Sequence, residues 1–137
     1  IKNCGSTPAG DRANYIAGAS YLHIKEFDKA VKYLKEFDGN GATQIQSKAY
    51  ILLGHAYAEQ KKTSEALSAY KKAASVNEKD EFFAGDALLI AAAYAGVTGN
   101  NKEAISLYEQ VKEKYPSNTA VQNADVDKNL AKLGVIK

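Results

Sequence analysis

The chain has 137 residues, 45% of them hydrophobic and 25% charged, which are values typical of one globular domain. Its formal net charge is +2, and acidic and basic residues are interspersed, so nothing in the charge pattern favours nucleic acid or an anionic membrane as a partner. Arg12 is the one arginine among 18 basic residues, whereas surfaces that read bases usually depend on arginine. The single cysteine, Cys4, excludes an intrachain disulfide.

The first predicted helices follow a short irregular segment. Residues 1–6 show no periodic pattern, and because the chain does not begin with methionine we interpret them as the remnant of a longer product. Thr7 and Pro8 predict a helix start, with threonine as the N-cap and proline at the first helical position. This helix is expected to end near Ile24. A second helix is expected to begin with Asp28 as its cap and to be stopped by the glycine-rich residues 38–41.

The remaining predicted helices follow the same start and stop signals. Thr63, Asp80 and Asn101 are the predicted caps of the fourth, fifth and sixth helices, and Pro116 ends the sixth. A sparser amphipathic helix is predicted over residues 118–133, with polar residues on its outer face. The longest nearly apolar run, residues 87–97, is shorter than the roughly 20 residues that a membrane-spanning helix needs.

A pattern of small and aromatic residues recurs along these helices. Each of the four positions in the second copy lies 36 residues after its counterpart in the first (54 − 18 = 36). In the third copy the first two positions lie 37 residues after their counterparts in the second (91 − 54 = 37), and the last two lie 38 residues after them (104 − 66 = 38). This change predicts an insertion in the turn at residues 96–101. Glycine and alanine at facing positions would let two helices approach closely, as we expect for Gly54 and Ala66. The copies are Gly18, Tyr21, Ala30 and Leu34; Gly54, Tyr57, Ala66 and Tyr70; and Ala91, Tyr94, Ala104 and Tyr108.

The central unit resembles the tetratricopeptide repeat. The resemblance is carried by Leu53-Gly54-x-x-Tyr57, followed by Ala66, Tyr70 and Ala73, and by Tyr115-Pro116 at the end of the third unit. It implies an all-α, right-handed superhelix of three helix pairs plus a C-terminal capping helix. The expected single domain covers residues 7–133, with repeats at about 11–42, 47–78 and 84–117 and the capping helix at 118–133. The opening NYIAGASYL is similar to bacterial membrane-tethered periplasmic repeat proteins, which implies the periplasmic side of the cell envelope as the location, with the cytoplasm as the alternative.

The resemblance also implies a groove lined by the first helix of each pair. Few of the residues carried onto this groove are charged, so they suit an apolar helix or extended segment of a partner protein. The charged groups with which some relatives hold chaperone tails are absent at the corresponding positions. The predicted groove residues are Arg12, Tyr15, Leu22, His23, Lys48, Ile51, His55, Glu59, Leu88 and Ala92, with Ala19, Leu52 and Ala95 beside them.

No pattern of titratable residues predicts catalysis or a cofactor. His23 and His55 lie on separate repeats and have no further ligand at metal-binding spacing, so no metal site is expected. The sequence therefore predicts a non-enzymatic scaffold that binds a protein or peptide partner. The alternative is a structural module whose groove is filled by an upstream segment of the same protein, or that forms a homo-oligomer.

Overall fold

The computed structural model describes residues 7–135, which form eight α-helices and no strand within that range. This confirms the predicted all-α helical repeat fold. The helices are α1 Pro8–His23, α2 Phe27–Glu36, α3 Thr43–Glu59, α4 Thr63–Ser75, α5 Glu81–Val97, α6 Asn101–Lys114, α7 Thr119–Gln122 and α8 Asp125–Lys132.

The first six helices form three consecutive hairpins. Helix α1 packs against α2, α3 against α4, and α5 against α6. The hairpins stack in chain order, because α2 also packs against α3 and α4 against α5. We call α1, α3 and α5 the A helices and α2, α4 and α6 the B helices. Neighbouring A helices contact each other, so they form a continuous layer.

The turn inside each hairpin is the same in all three copies. It occupies positions 24–26, 60–62 and 98–100, and its middle residue has a positive φ: 67° at Lys25, 61° at Lys61 and 88° at Gly99. The residue after it donates its N–H to a carbonyl five positions earlier, from Glu26 to Tyr21 at 2.8 Å and from Asn100 to Ala95 at 2.8 Å. This closure is the usual end of a helix that stops at a left-handed residue.

These turns correct the predicted register of the third repeat. Lys61 and Gly99 are offset by 38 (99 − 61 = 38), as are the first residues of α3 and α5 (81 − 43 = 38). The predicted insertion in the turn at residues 96–101 is therefore wrong. The extra length lies between the start of α4 and the start of α5, which are 18 residues apart (81 − 63 = 18). The starts of α2 and α3 in the preceding unit are only 16 residues apart (43 − 27 = 16). Ala92, and not Ala91, is the counterpart of Gly54.

Two predicted caps are confirmed. The Thr7 hydroxyl accepts the N–H of Gly10 at 3.0 Å, and the Asp80 carboxylate accepts that of Phe83 at 3.1 Å. Both side chains thus satisfy an N–H group that has no partner inside its own helix.

The other three caps are wrong by one or two residues. Asp28 lies inside the first turn of α2, which starts after Glu26, and Thr63 is already the first residue of α4. Helix α6 is capped by Asn100, whose side chain accepts the N–H of Glu103 at 3.3 Å. The reason is that the left-handed residue of the hairpin turn fixes where the chain reverses, and the next helix then begins two residues later, whichever side chain is present.

The predicted helix over residues 118–133 is interrupted. Ala124 has a φ of 67°, which separates α7 from α8. The interruption turns Val126 and Leu130 of α8 onto the core, where both are buried, while α8 contacts α6. The segment still covers the last hairpin with a polar outer surface, in two short helices instead of one.

The close contact predicted at Gly54 exists, but Tyr70 and not Ala66 is the group against it. A Cβ added to Gly54 would lie 2.5 Å from the Cε1 atom of the Tyr70 ring. In the first hairpin Gly18 and Leu34 have the same relation, at 2.5 Å from the leucine Cγ. The side chain from the B helix thus rests directly on the glycine backbone of the A helix.

Candidate partner-binding face

Corresponding positions of the three A helices form rows across the stack. We call these rows together the A-helix face. Because the structure aligns Lys61 with Gly99, the rows differ from those expected from the sequence in the third unit only. They are Arg12, Lys48 and Asp86; Tyr15, Ile51 and Leu89; Ala19, His55 and Ala93; Leu22, Ala58 and Gly96; and His23, Glu59 and Val97.

The groove residues predicted on the first two repeats all have accessible surface. Among them the charged and imidazole side chains are exposed, and the apolar ones are half-buried. The structure thus brings these residues onto one surface, whereas their use by a partner stays a prediction. The exposed residues are Arg12, His23, Lys48, His55 and Glu59, and the half-buried ones are Tyr15, Leu22 and Ile51.

The three groove residues predicted on the third repeat are misplaced. Leu88 is 7% exposed and Ala92 and Ala95 are 0% exposed, and all three lie in the core shared by the second and third hairpins. The error follows from the one-residue shift in register, which turns a surface position into a core position. Their neighbours Leu89 and Ala93 occupy the corresponding surface positions and have accessible side chains.

A cavity of about 450 Å³ opens at the N-terminal ends of α1 and α3. We call it the N-terminal pocket. Its apolar lining includes Tyr15 and Phe37, whose ring centroids are 5.3 Å apart at an angle of 55°. Ile16 and Ile45 line it as well and are 65% and 44% exposed. Arg12 and Lys48 supply the exposed cationic groups of its lining.

One wall of this pocket is held by Asp11, a functional candidate that the sequence reasoning missed. Its carboxylate is 2% exposed and accepts the backbone N–H groups of Asp38 and Gly39 at 2.6 and 2.7 Å. The side-chain amide of Asn40 donates to it at 3.3 Å. On the other side, the Gln46 amide donates to the Asp38 carbonyl at 2.7 Å. The loop after α2 is therefore tied to both A helices.

The signal for Asp11 was present in the repeat alignment. Asp11, Ser47 and Gly85 hold the same position in the three units, and all three are buried. Ser47 donates its hydroxyl to the Ala73 carbonyl at 3.0 Å, while Gly85 leaves room for the Asn118 side chain. A charged residue at a buried position where the other units have serine and glycine indicates that several hydrogen-bond donors of the same chain surround its carboxylate.

His55 is at the centre of the A-helix face. Its Nδ1 atom forms a 2.6 Å hydrogen bond with the hydroxyl group of Tyr70, in which the imidazole tautomer decides which of the two groups donates. Partial burial lowers the pKa of His55, an effect that nearby Glu59 opposes, and the residue is exposed at the surface. Burial, with smaller contributions from Tyr94 and Glu59, raises the pKa of Tyr70 to about 12.

The third-repeat end of the face has a different chemistry. Asp86 stands where Arg12 and Lys48 stand in the other units, and its carboxylate accepts the side-chain amide of Asn118 at 3.1 Å. The Lys48 ammonium group lies 6.0 Å from the centre of the Phe83 ring, which links α3 to α5 along this face. The charge in this row thus changes sign from the first two repeats to the third.

Over residues 7–135, no three His, Cys, Asp or Glu side chains come together as a metal site would require. Within the same part of the chain, every helix is too short or too polar to cross a membrane.

Comparison with known families gives two matches, both to the tetratricopeptide repeat. They cover residues 47–80 and residues 86–118. No curated protein matches the chain.

Proposed function

The second and third helix pairs, at residues 47–80 and 86–118, belong to the tetratricopeptide repeat family, and we propose that this chain is a scaffold that binds a partner polypeptide across its A-helix face. Repeats of this family generally mediate contacts between proteins, and the proteins that contain them are typically non-catalytic. The finer claim is that the partner lies along the three A helices.

The observation that supports this claim most strongly is the composition of the face. Its central rows combine half-buried apolar side chains, such as Ile51 and Leu89, with small residues such as Ala93. A polypeptide backbone can approach closely where the side chains are small, and its apolar side chains can be buried beside the larger ones. The exposed polar groups at the edges supply hydrogen bonds that fix its position.

The experiment compares the full chain with a face variant carrying Ile51→Lys, Leu89→Lys and Ala93→Arg. A matched control carries Ser68→Arg and Ser106→Arg, at exposed positions of the B helices. Proteins captured from a native lysate are identified by mass spectrometry, and one captured protein is then purified and titrated against all three chains. We expect the face variant to lose binding and the control to keep it, with the helical circular dichroism unchanged. Equal binding by the face variant and the wild-type chain would contradict the proposal.

A further inference from the structure

We propose that the N-terminal pocket accepts one large apolar side chain of the partner polypeptide and that Arg12 and Lys48 bind acidic residues on either side of it. This inference rests on the proposed function and specifies the chemistry of the partner at one end of the A-helix face.

The lining of the pocket suits a large apolar side chain. Its volume of about 450 Å³ lies within the range usual for sites that bury a drug-sized ligand, so such a side chain would enter together with part of its own backbone. Tyr15 and Phe37 provide aromatic surface inside it, and Ile16 and Ile45 expose aliphatic surface to solvent. Exposed aliphatic groups around an aromatic cavity are energetically costly in water, and an apolar side chain inserted there would remove that cost.

Hydrogen bonds within the chain fix one wall of the pocket. Asp11 holds the backbone of Asp38 and Gly39 through two hydrogen bonds, and Gln46 holds the Asp38 carbonyl from α3. Gly39 has a φ of 89°, a conformation that glycine adopts without strain. A wall fixed in this way loses little conformational entropy on binding, which favours affinity. The wall belongs to the residues that make the first unit longer than the usual repeat of this family.

The charges around the pocket select an acidic partner. Arg12 and Lys48 are exposed cations, whereas Asp11 is buried and its carboxylate is occupied by three donors. Asp38 belongs to the adjoining loop but does not line the pocket. The accessible charge of the lining is therefore positive, which attracts carboxylates and repels basic residues. The third unit has Asp86 at the equivalent position, so this preference is confined to the first two repeats.

The test uses three synthetic peptides of about ten residues, which in an extended conformation are long enough to cross two A helices. The first has a central phenylalanine flanked by glutamates, the second has the same phenylalanine flanked by lysines, and the third has glutamates around a central serine. Binding to the full chain is measured by fluorescence anisotropy at low salt. We expect the first peptide to bind at least about tenfold more tightly than either of the others, and added salt to weaken its binding.

A charge-reversed variant makes the test specific to this pocket. Arg12→Glu with Lys48→Glu replaces both exposed cations without altering the apolar lining. We expect this variant to prefer the lysine-flanked peptide over the glutamate-flanked one, because the attraction and the repulsion exchange places. Reversal of two surface charges on the B helices, Lys32→Glu with Lys35→Glu, is the matched control and should leave the original preference intact.

Several outcomes would overturn the inference. Equal affinity for the acidic and basic peptides, or an unchanged preference in the charge-reversed variant, would remove the charge argument. A dimer in sedimentation experiments that dissociates on charge reversal would assign the pocket to a second copy of the chain. Peptide binding that appears only after removal of residues 1–6 would show that this segment of the same chain, and not a partner, occupies the pocket. If a captured protein depends on Ile51 and Leu89 but not on Arg12 and Lys48, the proposed function stands and this inference fails.

Discussion

The two ends of the helical stack bury their residues in different ways. Around α5, α6 and α8 the core is continuous, with Leu107, Val111 and Val126 fully enclosed. The core around α1 and α2 is smaller, and Leu34 and Phe37 border open cavities. A sealed core contributes stability, whereas exposed apolar surface is available to a partner. The C-terminal end therefore contributes the larger enclosed core, whereas apolar side chains are exposed at both ends, Ile16 and Ile45 at one and Phe82 and Val97 at the other.

One repeat position shows the difference in a single side chain. Ser47 and Gly85 are buried within helix packing, and Gly85 lies against Asn118 of the C-terminal segment. Asp11, at the same position of the first unit, instead holds a loop that forms a pocket wall. The same place in the repeat thus supports packing at one end and shapes a surface cavity at the other.

The largest difference between the two ends should appear in core truncations. Leu107→Ala removes a side chain that is 1% exposed and leaves an enclosed cavity, so it should lower the free energy of unfolding by about 3–5 kcal/mol. Leu34→Ala, beside an open cavity, should cost only about 2–3 kcal/mol, because solvent and neighbouring side chains can fill the space. Urea denaturation of both variants measures the difference. Equal losses would show that the two cores are alike.

The glycine contact of the middle hairpin should be the next most sensitive site. Gly54→Leu inserts a side chain where the Tyr70 ring is already at contact distance, and it should cost about 1–3 kcal/mol or more. Ala93→Leu, on the exposed side of α5, is the control and should change stability by less than about 0.5 kcal/mol. Equal unfolding free energies for the two variants would be inconsistent with close packing of α3 against α4.

Removal of the pocket's anchoring carboxylate should have a moderate effect. Asp11→Ala leaves the N–H groups of Asp38 and Gly39 without their acceptor, and we expect a loss of about 1–3 kcal/mol, because the Gly39 N–H is buried. Ser47→Ala, which removes one hydroxyl from the same repeat position, should cost about 1 kcal/mol. Thermal denaturation of both variants shows which substitution lowers the stability more. A smaller loss for Asp11→Ala than for Ser47→Ala would contradict the anchoring role.

The smallest effect concerns the histidine between the two ends. Because burial lowers the pKa of His55 in the folded chain, the unfolded chain takes up the proton more readily. The free energy of unfolding should therefore be independent of this group above its unfolded pKa of 6.5 and should decrease as the pH falls below that value. His55→Gln should remove this part of the pH dependence, and His23→Gln, at an exposed position near the end of α1, should retain it. Urea titrations between neutral and mildly acidic pH measure the free energy of unfolding of each variant. If its pH dependence in His55→Gln equals that of the wild-type chain, the assignment to His55 is refuted.

The sequence predicts the fold well because the repeat pattern is local and periodic. Gly18 and Gly54 mark the same position of successive A helices, and two caps, Thr7 and Asp80, are where the sequence places them. The register of the third unit was wrong because the helix is rich in small apolar residues, so Ala91 and Ala92 fit the glycine position equally well in sequence. The hydrogen bond from Asn100 to Ala95 decides between them.

The candidate site was harder to predict for a related reason. Leu88 and Leu89 differ by one position along α5, which on a helix separates the core from the surface. The N-terminal pocket depends on contacts between Asp11 and a loop that is distant in sequence, which no local pattern reveals. The break at Ala124 was also not predictable, since alanine favours the helix interior and tertiary packing decides otherwise.

The most direct test of binding at the A-helix face is site-specific photo-crosslinking. A photoreactive amino acid at position 51, in the middle of α3, should cross-link to the same partner that the wild-type chain captures. The same amino acid at position 106, exposed on α6, should not. Peptide mapping of the cross-link at position 51 would then identify the bound segment. Cross-links from position 106 and none from position 51 would place the partner on the B helices and contradict the proposed function.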